Sequence, residues 1–289
     1  MIDLLLLVFA MGLAFIVAFA AGANDEMMAP GVASRVFSLR TAIIIGAVFS
    51  VLGATFLGDA VAETIGEDLL VDGLRLDDLM IISVLLAMVV VLIVASASEG
   101  LPLSTTQAIV GAVIGIAIIN PDWGIWSVNY STVFYIFTGW FISPIIGFIV
   151  AASVHFWILR LEESLSSVSD YEQRQIWYGR LLGIFLVIST ASRAGNDVAN
   201  SIAPVLSLSS VEQIGSDTRW VMLIGGLGVA VGLIIIGWKV IRVVAREIVD
   251  MTASSALSAM ISVSIVMTIG TLMGLPLSGT HVLIASMIA

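Results

Sequence analysis

Nine apolar runs follow one another along this chain, at residues 2–21, 41–57, 79–97, 101–119, 132–159, 181–192, 220–241, 252–273 and 275–289. Only 11% of the 289 residues are charged, against roughly 25% in a soluble domain, so there is too little charge to wet a surface. The composition excludes an ordinary cytosolic enzyme, a disordered chain and a disulfide scaffold. It predicts an all-α, polytopic protein of the cell membrane. The length allows about eight to ten crossings at roughly 20 residues each. The formal charge of −10 argues against nucleic acid as a partner. The absence of Cys removes thiolate chemistry and Cys-ligated metals. Ala18-Phe19-Ala20 could serve as a signal cleavage site, but no basic residue precedes it, and a retained helix is expected.

Charge sets the expected direction of threading, because basic residues in short loops stay inside the cell. Arg35, Arg40, Arg160, Arg174, Arg180, Lys239, Arg242 and Arg246 all fall on one face if the N-terminus is outside. The opposite face then carries residues 61–78, where Glu63, Glu67, Asp68, Asp72, Asp77 and Asp78 outnumber Arg75. Residues 120–131, with no basic residue, belong on the same side; Arg219 is the exception.

Two stretches repeat. Residues 100–115 read GLPLSTTQAIVGAVIG and residues 274–289 read GLPLSGTHVLIASMIA, identical at seven of sixteen positions. An Asn-Asp pair lies upstream of each, so that Asp25 precedes Ser104 by 79 residues and Asp197 precedes Ser278 by 81. The paired spacing points to duplication. The expected organisation is a first transmembrane repeat over 1–160, a central cytoplasmic loop over 161–180 and a second repeat over 181–289. If 101–119 spans, the first half crosses five times and the second half is inverted. A re-entrant hairpin there changes the count locally. Inverted repeats with broken or re-entrant helices are a transporter arrangement. Within 181–289 no run corresponds to 132–159.

Charges at mid-membrane cost roughly 2.5–3.5 kcal/mol each, so Asp25 and Asp197 are expected to face a cavity and bind something. Asn24-Asp25 and Asn196-Asp197 offer hard oxygen ligands suited to Na⁺ or a proton. Asn200, four residues after Asn196, would share its face on a helix. Gly22, Ala23 and Gly195 would permit local unwinding. Glu26, Glu99 and Arg193 lie close to the motifs. Arg193 either balances a bound anion or pairs with a carboxylate such as Glu99 or Asp197. Ser104 is placed to cap a helix, with Gln107 completing a capping box. The free N–H groups of that first turn form an anion site, to which Ser104, Thr105 and Thr106 add hydroxyls. Ser278, Gly279 and Thr280 repeat the arrangement. Two such helix starts facing each other would hold a tetrahedral oxyanion.

At these residues the chain resembles the inorganic phosphate transporter (Pit-type) family. The motifs that carry the resemblance are GAND at 22–25, GLPLSTT at 100–106, GNDVANSIAP at 195–204, GWKVIRVVAREI at 237–248 and GLPLSGTH at 274–281. The resemblance implies cation-coupled uptake of inorganic phosphate, with the hairpin Ser and Thr residues on phosphate and the Asn-Asp pairs on Na⁺ or H⁺. It implies no cofactor beyond the coupling ion. Membrane lipid is a further partner, and a homodimer is one arrangement left open. Met28 stands where the family's GANDVAN has its second Asn, Gln107 replaces a His and Gly279 replaces a Thr. Unequal cation sites would follow, and sulfate, proton-coupled, is an alternative solute. An anion channel is the alternative of another class.

Overall fold

In the computed structural model the described residues are 2–97, 104–163, 167–214, 217–247 and 250–289. The order is α1 (Ile2–Ala23), α2 (Ala29–Ala33), α3 (Leu39–Leu57), α4 (Asp59–Glu63) continued by a π turn, α5 (Asp78–Ala97), α6 (Thr105–Ile119), α7 (Tyr130–Glu163) and α8 (Val168–Leu206). There follow α9 (Ser209–Ile214), α10 (Arg219–Gly232), a second π turn, α11 (Trp238–Glu247), α12 (Ala253–Leu272) and α13 (Gly279–Ile288). Among the described residues, five helices are long and apolar enough to cross a membrane: Leu4–Ala23, Leu39–Leu57, Tyr130–Glu163, Arg219–Arg246 and Ala253–Leu272. α8 is not one of them, because its interior carries Arg193, Asn196, Asp197 and Asn200. Nearly every residue from Ser189 to Val205 is buried, so protein rather than lipid covers those polar groups.

α8 is 39 residues long, about 58 Å at 1.5 Å per residue, and it serves as the ruler of the fold. Just past its C-terminus, the Ser209 hydroxyl donates to Asp78 Oδ2 at 2.8 Å, fixing the start of α5. Near its N-terminus, Gln175 Nε2 donates to Ser254 Oγ at 3.3 Å, fixing the start of α12. The two motif-bearing hairpins therefore enter from opposite ends of α8. Neither second arm spans. α6 returns to the end from which α5 started, where Val71 N–H donates to the Ser127 carbonyl (2.9 Å) and Asn129 N–H to that of Leu69 (3.0 Å). α13, ten residues long, folds back along α12, with Ser286 Oγ 3.3 Å from Ser262 Oγ.

These positions correct four expectations. α6 does not complete a crossing: its first turn lies in the bundle interior, where Thr106 meets Asn200 of α8 and the Leu277 carbonyl of the second hairpin, and neither α5 nor α6 is among the five span-length helices, so the first half makes three passages (α1 with α2, α3 and α7) and one re-entrant hairpin instead of five passages; the parity stays odd. Residues 161–180 are not a loop where described, since α7 runs to Glu163 and α8 starts at Val168. Gly195 does not unwind α8. Ser104 and Ser278 sit at helix starts without side-chain capping bonds, so the capping box at Ser104 and Gln107 does not form.

Helices in lipid gain little from apolar burial against one another and hold together by close approach and polar contacts. A Cβ on Gly53 of α3 would collide with the Ala191 carbonyl oxygen of α8, and one on Gly22 of α1 with that of Val229 in α10. α12 is tied to α8 by hydroxyl pairs, Ser189 with Ser264 and Ser192 with Thr268, each at 2.7 Å. Gly274, at φ 70°, ends α12 in a left-handed turn in which Leu275 N–H reaches the Gly270 carbonyl at 2.8 Å. Gly53→Ala is expected to cost about 3 kcal/mol by overpacking. Gly111→Ala, where nothing lies within 4 Å, should be neutral or stabilise by up to about 1 kcal/mol. Thermal unfolding of both variants in detergent micelles checks the pair.

Candidate functional site

The chain leaves α1 after Ala23 and runs irregularly to α2. Asp25 Oδ1 accepts the Met27 N–H at 2.9 Å, which closes a tight turn and holds the Asp25 and Glu26 carboxylates toward α8. Met27 and Met28 point the other way, into the core, with 0% and 1% of their surface exposed. Met28, at the position of the family's second Asn, is thus a packing residue; its sulfur accepts the Thr190 hydroxyl at 3.4 Å.

On α8, Arg193, Asn196, Asp197 and Asn200 recur at helical spacing and share one stripe. The Arg193 guanidinium gathers three carboxylates. Nη1 donates to Glu26 Oε1 at 2.8 Å and Nη2 to Oε2 at 3.4 Å. Nε donates to Asp197 Oδ2 at 3.1 Å, and Nη1 lies 3.5 Å from Asp25 Oδ1. Nη2 also donates to Thr280 Oγ1 at 3.2 Å. Of the two roles open for Arg193, pairing with carboxylates is the one present. Its partners include Glu26, absent from the candidate site residues drawn from sequence, although a charge next to an unwound apolar helix is itself the signal. Glu99 lies outside the described residues.

Gly279 belongs to the same cluster, since a Cβ there would come within 2.9 Å of Arg193 Cδ and Nε. The small residue where the family has Thr makes room for the guanidinium.

The hairpin ends meet on the same stripe. Asn196 is engaged at both ends of its amide: Nδ2 donates to the Leu275 carbonyl at 2.7 Å, and Oδ1 accepts the Leu277 N–H at 3.1 Å. It clamps the second hairpin. Asn200 Nδ2 donates to Thr106 Oγ1 at 3.0 Å, and that hydroxyl donates to the Leu277 carbonyl at 3.2 Å. α8, the first hairpin and the second hairpin are thereby linked in one chain of hydrogen bonds. Asn200 Oδ1 is buried with no partner. An acceptor left so costs about 1–3 kcal/mol, and a cation within reach would remove that cost.

Between these groups lies a cavity of about 40 Å³ lined by Ala21, Asn24, Ser104, Thr105, Thr106, Arg193, Asp197, Ser278, Gly279 and Thr280. All six hydroxyl- or glycine-bearing hairpin positions expected from sequence thus share one chamber with Asn24 and Asp197. The hydroxyls of Ser104, Thr105 and Ser278 have no protein partner among the described residues. The starts of α6 and α13 both face the cavity, so free N–H groups and helix dipoles favour an anion there. Three carboxylates against one guanidinium favour a cation beside it. An anion and a cation can therefore be held as neighbours, each lowering the cost of the other.

The chain matches the family described as the phosphate transporter family over residues 21–178 and 161–289. A candidate phosphate permease of Pyrococcus furiosus is 26% identical over 352 aligned residues, covering 96% of this chain and 84% of the relative. One of Chlamydia trachomatis is 28% identical, covering 95% of this chain and 86% of the relative. A solved structure titled the sodium-dependent phosphate transporter has the same fold, with a TM-score of 0.81 and 23% identity over 97% of this chain and 88% of that one.

Arg193→Ala would leave three buried carboxylates without their cation and is expected to cost about 3–5 kcal/mol. Glu26→Gln keeps an acceptor for the guanidinium and should cost less, about 1–3 kcal/mol. Unfolding of each variant in detergent measures the difference, and an Arg193→Ala protein as stable as the parent would remove the cluster from its structural role.

Proposed function

Since the chain belongs to the phosphate transporter family, we propose that it imports inorganic phosphate as a secondary symporter coupled to Na⁺ or H⁺, working by alternating access. The observation that carries this reading is the single chamber in which both hairpin starts, Ser104 with Thr105 and Ser278 with Thr280, meet Arg193, Asp197 and Asn24.

In this reading the phosphate oxygens take hydrogen bonds from the Ser104, Thr105, Ser278 and Thr280 hydroxyls and from the first N–H groups of α6 and α13. Thr106 and Gly279 shape the wall, the first through its bonds to Asn200 and Leu277, the second by leaving room for Arg193. The coupling cations bind at Asp25 and Asp197, helped by the Asn24 and Asn200 amide oxygens. Asn196 acts as the clamp on the second hairpin. Arg193 holds the carboxylates and screens them from the anion.

The coupling follows from charge. Phosphate enters largely as a dianion, and an inside-negative potential opposes it by about 4.6 kcal/mol per 100 mV. A passive pore would leak phosphate outward. Two co-moving monovalent cations make the step electroneutral, and a third lets the potential drive it. The carboxylate excess adds an order to the events: with the acids unneutralised, the site repels the dianion, so cations bind before or with it. Alternating access fits two hairpins that enter from opposite ends of α8, one opening while the other holds.

Uptake of labelled phosphate into proteoliposomes, with Na⁺ and pH gradients imposed separately, tests the reading and identifies the ion. Asp25→Asn and Asp197→Asn should each abolish gradient-driven uptake while the protein remains folded; full uptake by both would refute the assignment. Ser278→Ala should raise KM for phosphate about tenfold or more, as expected for a lost hydrogen bond to a charged ligand. Sulfate should compete poorly. Strong competition by sulfate would move the reading to a broader oxyanion carrier.

A further inference from the structure

Far from the transport chamber, at the end of the bundle where α8 begins and α11 ends, lies a second cavity, of about 560 Å³. Three arginines from two parts of the chain line it: Arg35 in the turn after α2, and Arg242 and Arg246 one turn apart on α11. None of the three makes an ion pair among the described residues, and Asp250 is the one acid in the lining. Val32, Ala33, Leu39 and Ala245 add apolar surface to the same lining.

The turn that presents Arg35 is rigid. Arg35 is the one described non-glycine residue at positive φ, 60°, a conformation that costs of order 1–3 kcal/mol. It is held there by the Ser34 hydroxyl, which donates to the Pro30 carbonyl at 2.7 Å, and by the Phe37 N–H, which donates to that of Gly31 at 2.9 Å. Three like charges brought together on a fixed frame, with one acid between them, repel one another until an anion joins them.

The surroundings say where that anion comes from. Directly before α11, Ile234, Ile235 and Ile236 are exposed by 52%, 57% and 39%, a lipid-facing belt. Trp238 follows, with Lys239 Nζ 5.7 Å and the Arg242 guanidinium 4.7 Å from its ring centroid. Apolar belt, aromatic residue and basic face in that order mark the level of the lipid headgroups. A headgroup phosphate needs donors, and its glycerol and first methylenes need apolar surface beside them; the lining of this cavity supplies both. A free phosphate ion would have no use for the apolar surface.

We propose that this cavity is a binding site for the phosphate of an anionic membrane lipid, held by Arg35, Arg242 and Arg246. The site is separate from the transport chamber and does not depend on which ion drives transport.

The test uses the full chain in detergent micelles doped with equal amounts of phosphatidylglycerol and phosphatidylcholine, with retained lipid counted by native mass spectrometry. The parent protein should hold phosphatidylglycerol in roughly tenfold preference, and R35Q/R242Q/R246Q should lose that preference. The control R160Q/R174Q/R180Q, with as many arginines removed elsewhere at this end, should keep it. A photoactivatable phosphatidylglycerol, used on the parent protein alone, should crosslink to peptides spanning 32–39 and 239–250; this measurement does not depend on the variant folding. Equal retention of the two lipids, unchanged preference in R35Q/R242Q/R246Q, crosslinks confined to other regions, or displacement of the lipid by excess inorganic phosphate would each overturn the proposal.

Discussion

A buried guanidinium surrounded by carboxylates organises the centre of this protein. Arg193 rises from the middle of α8 and takes hold of Asp25 and Glu26 from the break after α1, Asp197 from its own helix and Thr280 from the second hairpin. Desolvating four charges costs several kcal/mol apiece before pairing. They persist because each has a partner within 3.5 Å. The cluster joins the first half of the chain to the second at the point where the hairpins meet. It also dictates Gly279, since any side chain there would collide with the guanidinium.

A second constraint comes from the backbone. Inside a membrane, irregular chain is tolerated only where protein or a cavity satisfies its polar groups. The loop between α12 and α13 meets this requirement with the Asn196 amide, the left-handed turn at Gly274 and the Trp140 indole, which donates to the Pro276 carbonyl at 2.7 Å. Thr106 and Asn200 extend the same network to the first hairpin. The Asn-Asp pairs of the two halves have therefore diverged in use. Asn24 borders the chamber while Asn196 holds the second hairpin, and α1 breaks where α8 does not.

Much of the fold was legible in the order of residues. The apolar runs required helices in lipid, and the matched spacing of Asp25 to Ser104 and Asp197 to Ser278 required a duplication. The GLPLS motifs announced helix starts. What misled was length and hydropathy taken helix by helix. Residues 105–119 are as apolar as a span, but α6 begins inside the bundle, where Thr106 bonds Asn200 and the Leu277 carbonyl, and so covers only part of the thickness. Residues 168–206 read as part loop and part short span because their charges depress hydropathy. Those charges are tolerated only because neighbouring helices cover them.

Chain order alone thus determined the membrane setting, the repeat and the set of residues worth a chamber, since each follows from transfer cost, periodicity and spacing along one dimension. The tertiary structure decided which of them meet. That Arg193 chooses Glu26, that Asn196 clamps while Asn200 keeps a bare oxygen, and that Arg35 joins Arg242 and Arg246 across two hundred residues are facts about distances between helices. Such distances are set by glycine-to-backbone contacts such as Gly53 against Ala191 and Gly22 against Val229, which exist only once the bundle has closed.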